Sequence, residues 1–162
     1  MNSDTQQINL TTLTSHLTVF LNMLEEFTLV LDKEAEAIRS NKPDSIIEAS
    51  QAKQDVAEKL NRAGTSLEAV ITPHSDNLVD LSVSTTFEAF PTELKTQIKN
   101  AIDQTIQCHD KNLANGMSIQ ILSNLNGQAL DILSGKANQE VTLYGASGEQ
   151  NQSKDKNTLG TA

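Results

Sequence analysis

The sequence predicts an all-α protein: an elongated antiparallel helical bundle, or coiled coil, of three long helices. A short helical or irregular connection precedes the third helix, and a flexible C-terminal tail comes after it. Three observations predict this. Apolar residues recur at alternating spacings of three and four along three separate segments, the pattern of helices packed through a narrow seam. Breakers are scarce, with 7 Gly and 3 Pro in 162 residues, so long uninterrupted helices can form. Aromatic residues make up only 3% of the chain and Trp is absent. The Leu, Ile, Val and Ala that remain suit a thin bundle better than a rounded core filled by large rings. One domain is expected at this length, over residues 10–135, between a polar lead-in, 1–9, and the tail, 136–162.

The first ladder runs Leu10, Leu13, Leu17, Phe20, Leu24, Phe27, Leu31, Glu34 and Ile38, with Glu34 its one polar member. Leu21 and Ala35 broaden the stripe, as expected of a helix with two neighbours. At ~1.5 Å per residue the segment would be roughly 45 Å long. Asn41-Lys42-Pro43-Asp44 ends it, because Pro43 lacks a donor and biases Lys42 out of the helical region. Ser45 and Glu48 then have the spacing of a capping box, with Asp44 a competing N-cap.

The second ladder is Ile46, Ala49, Lys53, Val56, Leu60, Ala63, Leu67 and Val70. Asp55 with Lys59 and Glu58 with Arg62 are acid-first pairs four residues apart, the favourable order. So short a loop makes the first two helices antiparallel neighbours. Between Thr72 and Phe90, Pro73, Asp76 and a Ser/Thr-rich run disfavour a long helix. Leu78, Val79, Leu81 and Phe87 are apolar enough to fold back as a short helical turn.

The third helix is expected over Pro91–Ser134. Pro91 suits a first helical turn and Glu93 the positive end of the helix dipole. Its ladder is Leu94, Ile98, Ala101, Thr105, Cys108, Asn112, Asn115, Ile119, Leu122, Asn126, Ala129 and Leu133. The middle of that seam is small or polar, a composition that fixes register at a cost in stability. Gly116 costs roughly 1 kcal/mol relative to Ala inside a helix, which marks a close contact or a bend. From Met117 on there is more apolar surface than one seam needs. Met117, Ile121, Leu125 and Ile132 form a second stripe. Two readings of it stay open: packing against the other neighbour in a three-helix arrangement, or an exposed strip awaiting a partner helix.

Past Gly135 the chain is polar except for Val141-Thr142-Leu143-Tyr144-Gly145, which contains the only Tyr. That island either folds back on the bundle or serves as a short docking motif. The last fourteen or so residues have the composition of a disordered segment.

A formal charge of −9 with no clustered Lys or Arg argues against nucleic-acid binding and against anionic membranes. No apolar run approaches the ~20 residues that span a bilayer. The N-terminus lacks the basic and apolar regions of a signal peptide, and the single Cys108 excludes an intramolecular disulfide. A cytoplasmic protein is expected. His16, His74 and His109 have no ligand-type spacing, so no metal and no cofactor are expected. Cys108-His109-Asp110 is a triad in letters only, because neighbours on a helix point ~100° apart. No catalytic constellation and no small-molecule substrate emerge. A phosphotransfer domain using His109 would show Lys and Gly three and four residues later, where Asn112 and Leu113 stand.

Asn112-x-x-Asn115-Gly116, a Leu-rich helix through Leu130, Leu133 and Gly135, and then Thr142-Leu143-Tyr144-Gly145-x-x-Gly148 succeed the long heptad hairpin in order. Over residues 10–148 this resembles the FlgN-type flagellar type III export chaperones. The resemblance implies a cytoplasmic, non-enzymatic chaperone. Such a chaperone keeps hook-associated proteins, those of the hook–filament junction, from assembling early and delivers them to the export gate and its ATPase components. It implies that the C-terminal amphipathic helix binds the client, here through Met117, Ile121, Leu125 and Ile132. It further implies that the Asn112, Asn115 and Gly116 motif is structural and that Leu143, Tyr144 and Gly145 dock on a partner. Residues 72–90 and 149–162 have no clear counterpart in the family. The alternatives to an export chaperone are a histidine phosphotransfer domain using His109 and a coiled-coil adaptor without export function.

Overall fold

The computed structural model describes residues 8–134, and every described element is helical. In order these are α1 (Leu10–Ser40), α2 (Pro43–Ile71), α3 (Leu78–Ser82), α4 (Thr85–Glu88) and α5 (Thr92–Leu133). The chain divides into two compact units, Met1–Ser123 and Asn124–Ala162. The first holds the core. Of the second, residues 124–134 are described, and they complete α5. The expected tail, with Leu143, Tyr144 and Gly145, lies outside the described residues.

Helix α1 is anchored one step ahead of its apolar ladder. The Asn9 side chain accepts the Thr12 backbone N–H at 3.1 Å and caps the helix. Ile8 on its outer side and Leu13 on its inner side are both buried in one cluster, the arrangement of a hydrophobic staple. The lead-in is therefore not wholly polar: Ile8 belongs to the core, whereas Leu10, the first rung, is exposed. Asn41 closes α1 in the left-handed conformation, φ 50°, with its N–H on the Ile38 carbonyl at 3.0 Å. Asn tolerates this better than most residues because its short polar side chain can bond locally.

Lys42 is extended and α2 starts directly at Pro43. The capping box expected at Ser45 and Glu48 does not form. Proline, with φ already helical and no N–H to satisfy, begins the helix itself and places Ser45 inside the first turn. Of the two expected ion pairs along α2, Glu58 and Arg62 meet at 3.6 Å, while Lys59 reaches across to Glu26 of α1 at 3.8 Å.

Glu34 meets Ser50 and Lys53, Glu26 meets Lys59, and a Cβ at Gly64 would stand 3.5 Å from the Phe20 ring. These pairings run in opposite directions along the two chains, so α2 is the antiparallel neighbour of α1. Helix α5 pairs Cys108 with Thr28 and Asn115 with Leu31 and Glu34, so it ascends parallel to α1. Antiparallel thus describes the α1–α2 pair and not the α1–α5 pair.

The region 72–90 folds as the two short helices α3 and α4, capped by the side chains of Asn77 and Ser84. Leu81 and Phe87 are buried as expected, Leu78 is half-buried and Val79 stays exposed. Phe90 joins them, its ring edge-on to Phe87 with centroids 6.0 Å apart. Lys95 of α5 ties this corner down, donating to the Glu88 carbonyl at 2.8 Å with its ammonium over the Phe87 ring. Helix α5 begins at Thr92, with the Pro91 carbonyl accepting the Lys95 N–H at 3.1 Å, so Pro91 stands just outside the first turn.

The core is mostly aliphatic: Leu13, Leu17, Leu24 and Leu31 of α1, Val56, Leu67 and Ile71 of α2, and Leu94, Ile98 and Ala101 of α5, with Phe27 of α1 and the Phe87–Phe90 corner joining them. Gly116 marks no close approach, because a Cβ there would meet nothing within 4 Å.

Candidate protein-docking site

Two faces of α5 have opposite character. Toward α1, Cys108 Sγ lies 3.2 Å from the Thr28 hydroxyl, and Asn115 Nδ2 donates to the Leu31 carbonyl at 2.9 Å and to Glu34 Oε2 at 3.0 Å. Glu34 is the one fully buried charged side chain among the described residues. Its carboxylate also receives Lys53 Nζ at 2.8 Å and the Ser50 hydroxyl at 3.2 Å. Three seams thus place Glu34, Lys53 and Asn115 at one level. A buried carboxylate is tolerable only when paired and hydrogen-bonded in this way. At the rim, Lys111 Nζ meets Asp32 at 2.7 Å.

At ~100° per residue, Met117 stands about half a turn from Asn115. Met117 and Ile121 are each 57% exposed. Counting back by four and eleven from Met117 reaches Leu113 and Ile106, 55% and 54% exposed, on the same outward arc. These four form an apolar stripe on the first unit, on the face of α5 away from α1. In the second unit Leu125, Leu130 and Leu133 are also exposed. The side chain of Ile132 lies outside the described residues. Ile119 and Leu122, on the seam side, are half-buried. Of the two readings of the second stripe, exposure is what Met117, Ile121 and Leu125 display.

The sequence pattern singles out Met117, Ile121 and Leu125 and misses Ile106 and Leu113. Their spacing of seven, four and four is present in the chain, but an apolar excess over the seam becomes conspicuous only from Met117 on. Glu34, Lys53 and Asn115 read in the same way as separate polar intruders on three ladders. Their shared level is invisible without the register between helices. Of the Asn112, Asn115 and Gly116 motif, only Asn115 is buried and bonded; Asn112 is exposed and Gly116 touches nothing on its Cβ side.

The Cys108-His109-Asp110 string does not converge. Cys108 points into the α1 seam while His109 is exposed. Adjacent side chains do meet once, against expectation: His109 Nδ1 lies 3.3 Å from Asp110 Oδ1, a surface pair permitted by rotamer choice. Among the described residues no group of three or more His, Cys, Asp or Glu could hold a metal ion. No helix among them is long and apolar enough to cross a membrane.

An apolar stripe left exposed on one face of the longest helix is the kind of surface that marks an interaction site. The family model for the FlgN protein matches residues 1–152. The chain belongs to the FlgN family, chaperones of flagellum assembly and type III export. Searches of curated proteins and of solved structures gave no match.

Proposed function

We propose that this chain is a cytoplasmic chaperone that binds a flagellar hook-associated protein, holds it unassembled and delivers it to the export gate. The exposed apolar stripe of α5 carries the reading. Binding is of the helix-in-groove kind, in which an amphipathic helix of the client lays its apolar residues along Ile106, Leu113, Met117 and Ile121. Full burial of a side chain of this size contributes roughly 1.5–3 kcal/mol. With about half of each already covered, the four contribute on the order of 3–6 kcal/mol on the same scale. Micromolar affinity needs about 8 kcal/mol, so these four residues supply a part of it. The function is one of holding and release, performed without catalysis or cofactor. The Leu143-Tyr144-Gly145 island is a second, separable docking element toward the gate.

The test is calorimetric titration of purified hook-associated proteins into the full chain and into the Ile121→Asp and Leu125→Asp variants. One of these clients is expected to bind the parent, with each variant weakening it more than tenfold at unchanged helical signal. Equal affinity in folded variants would remove the stripe from the binding site. No binding by any hook-associated protein would remove the client class.

A further inference from the structure

We infer that the polar knot of buried Glu34 and Asn115 with half-buried Lys53 and Ser50 is a positioning device that fixes the rotation of α5 and so keeps its apolar stripe turned outward. Along the first turns of α5, burial of Leu94, Ile98 and Ala101 sets the rotation, helped by Lys95 at the Glu88 carbonyl. Beyond Ala101 that preference weakens, although Cys108 still joins the core cluster and Ile119 and Leu122 on the seam side are half-buried. The inward positions hold Thr105, Cys108, Asn112 and Asn115, of which Thr105 and Asn112 are exposed. The outward positions hold Ile106, Leu113, Met117 and Ile121. The hydrophobic gain grows with apolar area removed from water. Over this stretch it favours turning the stripe in against α1, where it could bind nothing else.

The polar knot opposes it. Asn115 Nδ2 is shared between the Leu31 carbonyl and Glu34 Oε2. A turned α5 would withdraw that amide and lay methyl and methylene groups against a carboxylate with no access to water. Lys53 and Ser50 alone would then satisfy it, and burying an incompletely paired charge is costly. One polar residue in an apolar seam selects register in coiled coils by the same logic. None of the four knot residues belongs to the stripe, so they act through the orientation of α5 rather than by touching a client.

This inference takes from the proposed function only the purpose of the stripe, and its test needs no client. In the full chain, Cys108→Ala with Met117→Cys leaves one thiol, on the stripe. Its rate of labelling by a bulky maleimide reports how far the stripe faces water. Adding Asn115→Ala is expected to slow labelling at least tenfold with helical content unchanged. The combination Glu34→Met, Lys53→Met and Asn115→Ala has no buried charge left to strand. It is expected to slow labelling as much, and it decides the matter should Asn115→Ala alone fail to fold. Simple loosening of the bundle would speed labelling, so slowing is specific to a turned helix. An unchanged or faster rate in the folded variants would overturn the inference, whatever the fate of the client reading.

Discussion

Helix α1, of 31 residues, buries Leu13, Leu17, Leu24 and Leu31 almost completely, whereas α5, of 42 residues, carries most of its largest apolar side chains beyond Ala101 on its surface. Both helices are written in the same spacing of three and four. On α1 nearly every apolar rung serves the fold. On α5 the apolar residues divide: the rungs Leu94, Ile98, Ala101 and Cys108 join the core, and Ile106, Leu113, Met117 and Ile121, off the ladder, do not. A helix whose apolar residues encircle it does not fold by amphipathicity alone. Here the inward face is secured by polar contacts at Cys108, Lys111 and Asn115, and the outward one is left exposed, the face proposed to take a partner.

Substitutions should therefore separate stability from binding by face. The largest expected effect is on α1. Leu24→Ala removes a side chain that is 1% exposed and should cost about 2–5 kcal/mol, measured by urea unfolding. A loss below about 1 kcal/mol would mean the seam relaxes around the hole and is not the tight core described. Next comes Lys53→Met, which strands Glu34. Removing one partner of a buried pair costs about 3–5 kcal/mol. The lower end is expected here, because Lys53 is itself 23% exposed and water can enter. On the outward face the sense inverts. Ile121→Asp should change stability by no more than about 0.5 kcal/mol, as at other exposed sites, while binding falls more than tenfold. The smallest effect is at Gly116→Ala, where a Cβ meets nothing. It should stabilise the chain by up to about 1 kcal/mol, read as a small rise in Tm. A loss there would reveal a contact that the open space does not show.

Much of this architecture is legible in the sequence because helix spacing is a local property. The boundaries of α1 and α5 follow closely from the ladders and from Asn41 and Pro91, while α2 starts at Pro43, ahead of the expected Ser45 cap. What stays hidden depends on distance in space. Glu34, Lys53 and Asn115 are each visible as a polar rung, but only the register between helices brings them together. The capping box at Ser45 fails because a local motif competes with proline's own geometry two residues earlier. Ile106 and Leu113 escape for another reason. A seam that is polar in its middle draws attention inward, while the apolar residues it does not use stand on the opposite side.

Whether α5 folds with one face and binds with the other is tested most directly by a methionine oxidation footprint. Met117, on the stripe, and Met23, half-buried on α1, are internal probes of the two helices in the native chain. With a saturating hook-associated protein bound, oxidation of Met117 is expected to slow severalfold while Met23 keeps its free-state rate. Saturated binding with Met117 oxidised as fast as in the free chain would contradict the division of α5 into a folding face and a binding face.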